Sequence, residues 1–350
     1  YEVHVATGIT DKLGILESHG LIVHPLRIHR SRTGFFSVFS EFLQIFFIIR
    51  SVTPDIVHLV TIKPVLLGGI AARVARVPAV VSSVSGLGFI FVSRGPIAFF
   101  RRKLISFFYR FSFDHNNQRI IFQNREDQSR LTELAGISPK KSTLIRGSGV
   151  DLSLFKYIPV KGETPVVLLA SRLLLDKGIR EFVDAARLVN EKSLNARFVL
   201  VGAPDPLNPA TIKSKELDQW KQDGMVELWG YRHDMHNVLS MANIVVLPSY
   251  REGFPKVLME ASAAGRVIVT TDVPGCRDVI QNGVTGLLVP PRNSERLAEA
   301  ISVLLADTAR CKEMGRAGRA WAEKTFDVQR VVAKHIEIYE ELIAKTNACL

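Results

Sequence analysis

The stretch Ser249-Tyr250-Arg251-Glu252-Gly253-Phe254-Pro255-Lys256-Val257-Leu258-Met259-Glu260 sets two carboxylates around a Gly-Phe-Pro turn. Ahead of it, Asn243-Ile244-Val245-Val246-Leu247 is apolar and β-branched and ends at Pro248. That is the pattern of a parallel strand buried on both faces. Pro255 suits the first turn of a following helix, where its missing N–H has no intrahelical partner to lose. The turn therefore falls at the carboxyl end of a sheet strand, where open α/β sheets bind ligands. Backbone N–H groups from Gly253 to Val257 are expected to point outward there as an anion site. Glu252 before the helix and Glu260 within it can meet opposite ends of one bound molecule. Acceptor-only groups beside an anion cradle suit a polyhydroxylated ligand that carries phosphate, such as a sugar nucleotide. Two Glu at this spacing also occur in solvated helices, so the reading depends on the rest of the chain.

Around this stretch the second half alternates strands and helices. Val166–Ala170 reads as a strand, and Ser171-Arg172-Leu173-Leu174-Leu175-Asp176-Lys177-Gly178 follows it. Arg offers a planar fork to phosphate oxygens and Lys a compact charge, so Arg172 and Lys177 are phosphate candidates, with a solvated surface pair as the alternative. Strands are expected at 197–202, 226–230, 266–271 and 285–290. The loop Tyr231-Arg232-His233-Asp234-Met235 follows one of them and Pro274-Gly275-Cys276-Arg277-Asp278 another. Helices are expected from Ser294, as cap, to Leu305, from Thr308 to Lys324 and from Val328 to Ala344. In the first half, strands are expected at 1–6, 21–26, 55–60, 78–84 and 119–123, with helices over 65–74 and 125–135, the latter stopped by Gly136. Strands alternating with helices at this spacing predict parallel, doubly wound sheets.

A chain of 350 residues with 47% hydrophobic content suits two ordinary domains. Its three cysteines, Cys276, Cys311 and Cys349, show no disulfide or metal-ligand spacing and fit a reducing cytoplasm. The chain opens as a strand rather than as a secretory signal, and its longest uncharged run, Val77 to Ser93, is broken by Pro78, Gly86 and Gly88, so no transmembrane helix is expected. The net charge of +11 is concentrated: residues 1–150 hold 19 Lys/Arg against 9 Asp/Glu, leaving 26 against 25 for residues 151–350. Such asymmetry points the first half at an anionic partner. The segment Phe35–Ile49 is apolar around most of a helix, and Pro96–Phe111 sets Phe100, Leu104, Phe107, Phe108 and Phe111 among Arg101, Arg102, Lys103 and Arg110. Core packing with a solvated basic face is one reading, and a patch for the cytoplasmic membrane face is the other. No nucleic-acid motif accompanies the charge. Lys63 and His58, at the end of the strand over 55–60, are candidates for a second substrate, although a strand-end His is commonly structural.

Glu252 and Glu260, within Arg-Glu-Gly-Phe-Pro, resemble the Glu, seven residues, Glu signature of glycosyltransferase family 4, retaining enzymes of the GT-B fold. Arg172 and Lys177 resemble the phosphate-binding Arg and Lys of that family, and Gly147-Ser148-Gly149-Val150-Asp151 its Asn-Gly-Val-Asp segment. Ser85-Gly86-Leu87-Gly88-Phe89 stands where many members carry His before the glycine. No catalytic His is carried over, and this version resembles sequences that extend polyprenyl-linked sugars.

The resemblance implies two Rossmann-like domains facing a cleft, over residues 1–153 and 164–327, with a helix over 328–350 crossing back to the first. Family members open with a further strand, and residues 1–5 look like their second, so a first strand is expected to be missing. The implied activity is retaining transfer from a nucleotide sugar, UDP-linked, to a polyprenyl-diphosphate-linked saccharide in surface polysaccharide assembly, with the protein peripheral to the membrane. Glu252 would orient the donor sugar, Arg172 and Lys177 would neutralise the leaving diphosphate, and Glu260 would accept from the ribose. Gly253, Phe254, Pro255, Lys256 and Val257 would complete the donor site, with Tyr231 and Arg232 beside the base. Ser85, Gly86, Lys63 and His58 are the acceptor-side candidates. No cofactor and no metal are expected, since no Asp-x-Asp triplet occurs. A GT-B sugar-nucleotide epimerase and a noncatalytic sugar-nucleotide-binding protein are the alternatives.

Overall fold

The computed structural model describes residues 1–10, 13–27, 34–86, 106–160, 162 and 164–348. The chain divides into two compact units, Tyr1–Leu144 with His335–Leu350, and Ile145–Lys334.

The second unit is built on a six-stranded parallel sheet. Its strands are β7 (Val166–Ala170), β8 (Arg197–Val201), β9 (Glu227–Gly230), β10 (Ile244–Leu247), β11 (Val267–Thr271) and β12 (Gly286–Val289), in the order β12-β11-β10-β7-β8-β9. All residues of β7, β10 and β11 are buried, which is why their sequences run apolar without alternation. One face, with Val166, Leu168, Val245 and Leu247, packs on Leu258, Met259 and Ala261 of α9 (Lys256–Ala263). The other, with Val167, Leu169, Ile244 and Val246, packs on Phe182 and Val183 of α6 (Ile179–Glu191) and Leu297 and Ile301 of α10 (Ser294–Ala306). Strand order reverses between β7 and β10, so the loops leaving these two neighbours open a crevice at their carboxyl ends.

In the first unit, β1 (His4–Gly8) pairs in parallel with β2 (Ile22–Leu26), and β3 (Ile56–Val60), β4 (Ala79–Val84), β5 (Gln118–Phe122) and β6 (Ser142–Leu144) form a four-stranded parallel sheet. The apolar segment forms α2 (Phe35–Val52), followed by α3 (Ile62–Val74), a helix with described residues 106–113, here α4, and α5 (Arg125–Ala135). Asn124 caps α5 by accepting from Asp127 N, and Gly136 ends it in the left-handed conformation. Residues Phe100 to Leu104 of the expected aromatic-basic segment lie outside the described residues, as do Leu87, Gly88 and Phe89. Among the described residues, no helix is long and apolar enough to cross a membrane.

Several boundaries differ from expectation. The first unit ends at Leu144 rather than at 153, because Val150 belongs to the second: its amide donates to Phe326 O (2.7 Å) and its carbonyl accepts from Val328 N (3.1 Å). The last helix, α12 (Val328–Asn347), starts at the expected residue, continues past the expected Ala344 and passes from the second unit into the first at Lys334/His335. The first strand starts at His4, and α3 starts at Ile62 rather than Val65 because Pro64 fits a first turn without losing a bond. Asn293, not Ser294, caps α10, its side chain accepting from Arg296 N (2.8 Å). Pro255 is the residue before α9 rather than within its first turn.

Candidate active site

The two loops that leave β7 and β10 are tied together. After β7 the chain makes a short 3-10 turn, Leu175–Lys177, closed by Gly178 at φ +71. A Cβ on Gly178 would stand 2.2 Å from Pro248 O at the end of β10, so both the backbone conformation and the close approach require glycine. Tyr250 N donates to Asp176 O (2.9 Å). These contacts bring Lys177 Nζ to 2.5 Å from Glu252 Oε1, and Ser249 Oγ donates to the same oxygen at 2.7 Å. Both charged side chains are largely buried, 16% and 13% exposed. A carboxylate drawn this far from water needs both donors, and the Lys177 ammonium supplies the matching charge.

The loop after β11 closes the site from behind. Gly275, at φ +81, leaves room for the backbone of Glu252 and Gly253, whose carbonyl oxygens would meet a Cβ there at 2.7 and 2.5 Å. Thr271 Oγ1 donates to Ser249 O (2.5 Å), and Cys276 lies fully buried beneath, where burial pushes its thiol up to about 12. Phe254 is buried against Phe326, and Gly147 lies against Phe254 and Met259, which places the Gly147-Ser148-Gly149 segment beside the turn. Glu260 is 6% exposed on α9; burial raises its carboxyl above the ordinary range, opposed by Lys256, whose ammonium is 3.4 Å away. Pro255 makes no side-chain cap, and Val257 packs against the sheet face beneath.

Not every candidate converges. Arg172 is 58% exposed and pairs with Asp205 (3.1 Å), not with the Lys177–Glu252 couple. Asp205 follows β8 and carried no motif, so sequence reading passed over it. Arg232 makes a two-pronged bond to Asp234 (2.8 and 2.6 Å), which holds the Asp234 carboxyl well below its usual range, and the exposed Tyr231 ring meets His233 edge-on.

In the first unit, His58 is absorbed into the fold. Its Nδ1 lies 2.7 Å from Tyr339 Oη and its Nε2 2.6 Å from Ser83 Oγ, with the His335 ring tilted beside it at 5.6 Å. Burial, then the neighbouring His335, pushes the imidazole down to about 4. Both ring nitrogens of His58 thus have partners within the unit, Ser83 on β4 and Tyr339 on α12. Lys63, on the first turn of α3, pairs at 2.5 Å with Glu41, a buried carboxylate in the apolar α2. Ser85 and Gly86 follow β4, Gly86 at φ +131.

Residues 164–307 match the family model of glycosyl transferases group 1, and residues 1–124 that of glycosyl transferase 4-like proteins. An N,N'-diacetylbacillosaminyl-diphospho-undecaprenol alpha-1,3-N-acetylgalactosaminyltransferase of Campylobacter jejuni is 30% identical over 94% of this chain and 88% of its own. The chain belongs to the family 4-like glycosyltransferases. A UDP-Gal:alpha-D-GlcNAc-diphosphoundecaprenol alpha-1,3-galactosyltransferase of Escherichia coli is 26% identical to this glycosyltransferase over 83% of the chain and 76% of its own. The crystal structure of Anabaena Alr3699/HepE in complex with UDP superposes with a TM-score of 0.77 at 22% identity, over 97% of this chain and 92% of that one. Likeness at that level speaks to the fold, which is GT-B. The enzyme's two units of parallel sheet and helix agree with the expectation from the spacing of strands and motifs.

Proposed function

We propose that this glycosyltransferase moves a hexose or N-acetylhexosamine, with retention, from a UDP-sugar to a saccharide on undecaprenyl diphosphate in surface polysaccharide assembly. The observation that carries this reading is the Lys177–Glu252 pair at the strand-order reversal, a fixed cation and a fixed carboxylate at a ligand crevice. The relatives from Campylobacter jejuni and Escherichia coli, named for diphosphoundecaprenol-linked acceptors, support the acceptor class. Lys177, joined by Arg172 when its exposed bridge to Asp205 opens, would neutralise the leaving diphosphate. Exposed pairs of that kind contribute about 0–1 kcal/mol and exchange readily for a phosphate. Glu252, with the Gly253 and Phe254 backbone, would orient the donor sugar, and Glu260 would accept from the ribose. The acceptor oxygen bonds to the anomeric carbon on the face from which the phosphate oxygen departs, and the acceptor proton passes to that oxygen. Cationic side chains fill the role a divalent ion plays elsewhere, so no metal is invoked.

The membrane belongs to the same proposal. The rings of Phe36 (87% exposed) on α2 and Phe107 (63% exposed) on α4 stand in water within the basic half of the chain, which suits an anionic lipid surface. The test incubates the full chain with UDP-sugars and undecaprenyl-diphosphate-linked saccharides, with and without chelator, and reads product mass and anomeric configuration. A retained anomer on a lipid-linked acceptor, insensitive to chelator, is expected; an inverted product, or donor epimerisation without acceptor, overturns the reading. Liposome sedimentation, expected to need anionic lipid and to weaken with salt, tests the membrane contact separately.

A further inference from the structure

Tyr250 has no part in the chemistry above, yet it joins three loops of the second unit. Its amide donates to Asp176 O, its hydroxyl donates to Glu181 Oε1 at 2.5 Å, and the Arg292 guanidinium lies 4.3 Å from the centre of its ring. Asp176 and Glu181 flank the Lys177-Gly178 turn, and Tyr250 stands just before Glu252. Tyr250 therefore spans the same two elements as the Lys177–Glu252 pair, once through its main chain and once through its side chain.

Three features mark this tie as more than packing. Burial, then the Glu181 carboxylate, pushes the Tyr250 phenol up to about 12, so it stays a donor through the neutral range. The other Glu181 oxygen, Oε2, is buried with no hydrogen-bond partner among the described residues, an arrangement that fold stability alone does not favour. Arg292, over the ring, holds a φ of +60, which side-chain-bearing residues adopt rarely and which gathers at functional sites.

We propose that Tyr250 and Glu181 are positioning residues for the transfer: their hydrogen bond fixes the Leu175–Lys177 turn against the Glu252 loop, so that the Lys177 ammonium stays where charge develops on the leaving diphosphate. This rests on the roles given to Lys177 and Glu252 above. A displaced cation still attracts a bound diphosphate through solvent, but a small misplacement is felt most in the transition state, where catalytic groups must be aligned. The signature is thus a fall in kcat rather than a rise in KM.

The experiment uses the full chain, the donor and lipid-linked acceptor on which it turns over, and UDP as the binding probe. Tyr250→Phe, which keeps the ring over Arg292, and Glu181→Ala are each expected to lower kcat on the order of tenfold, with KM for the donor and Kd for UDP within about twofold. The double variant should lose no more than either single one, since both remove the same bond. Glu181→Gln should restore most of the rate, its amide oxygen accepting in place of the carboxylate. Lys177→Ala runs beside them. A wild-type kcat in Tyr250→Phe while Lys177→Ala is inactive overturns this inference alone; a wild-type kcat in Lys177→Ala removes the assignment beneath it. Losses that multiply in the double variant, or a raised KM at unchanged kcat, also overturn it. Should Tyr250→Phe fail to fold, the contrast of Glu181→Ala with Glu181→Gln decides.

Discussion

Lys177, in the turn after β7, and His58, in the middle of β3, are polar residues of the two parallel-sheet units, and the structure uses them in opposite ways. Lys177 meets a charged partner, Glu252, in a couple that neutralises itself and keeps an exposed margin. His58 meets Ser83 and Tyr339, neutral hydroxyls that occupy both its nitrogens, and burial drives it to the uncharged form. A polar residue on or after a parallel strand thus becomes chemistry or scaffold according to what the neighbouring elements offer it. Charge opposite charge leaves a couple that a charged ligand can enter; hydroxyls opposite an imidazole close the site.

The sharpest way to break this contrast is to exchange the two effects. Lys177→Ala should lower kcat per folded molecule by about 10²–10³, as removal of one preorganised transition-state contact does, and should also lower the thermal midpoint, because Glu252 keeps only the Ser249 donor. His58→Gln should leave kcat per folded molecule near wild type and lower stability instead. Steady-state rates beside melting curves check both, and a His58→Gln enzyme that is stable but inactive would return His58 to the site.

The pH dependence sharpens the comparison further. The His58 imidazole is lowered to about 4 in the folded protein, so the unfolded chain takes up the proton first as pH falls. Stability is therefore held above an unfolded value near 6.5 and lost between there and about 4, by roughly 3 kcal/mol. Hydrogen exchange of the β3 and α12 amides across that window should show the loss, and His58→Gln should flatten it. The smallest effect belongs to the exposed Arg172–Asp205 bridge: Asp205→Ala should change stability by less than about 1 kcal/mol, and UDP affinity should hold or rise as Arg172 is released. A marked loss of UDP binding in Asp205→Ala would mean that the bridge orients Arg172 rather than restrains it.

Parallel strands buried on both faces were legible because burial forces continuous β-branched runs, as in Val166–Ala170 and Ile244–Leu247. The turn after β10 was legible because its glycine, proline and two glutamates have few other uses together. Element ends were read less well wherever neighbouring residues compete for one job: Asn293 and Ser294 can both cap a helix, and only the chain's path gives the bond to Asn293. The partners of the site residues were not legible at all. Asp205, Glu181 and Arg292 lie far along the chain from what they hold, and nothing in their own surroundings distinguishes them from solvated charges.

By itself, then, the sequence determined the alternation of strands and helices, the family, and the residue types at two strand-end loops, because periodicity and turn chemistry act over a few residues. The tertiary structure decided which charges meet. Strand order places β10 beside β7 although β8 and β9 come between them in the chain, and that adjacency sets Lys177 against Glu252. The fold of α12 likewise sets Tyr339 against His58 and half-buries it. Both outcomes depend on Coulomb and desolvation terms that exist only at contact distance, between residues whose separation along the chain carries no trace of it.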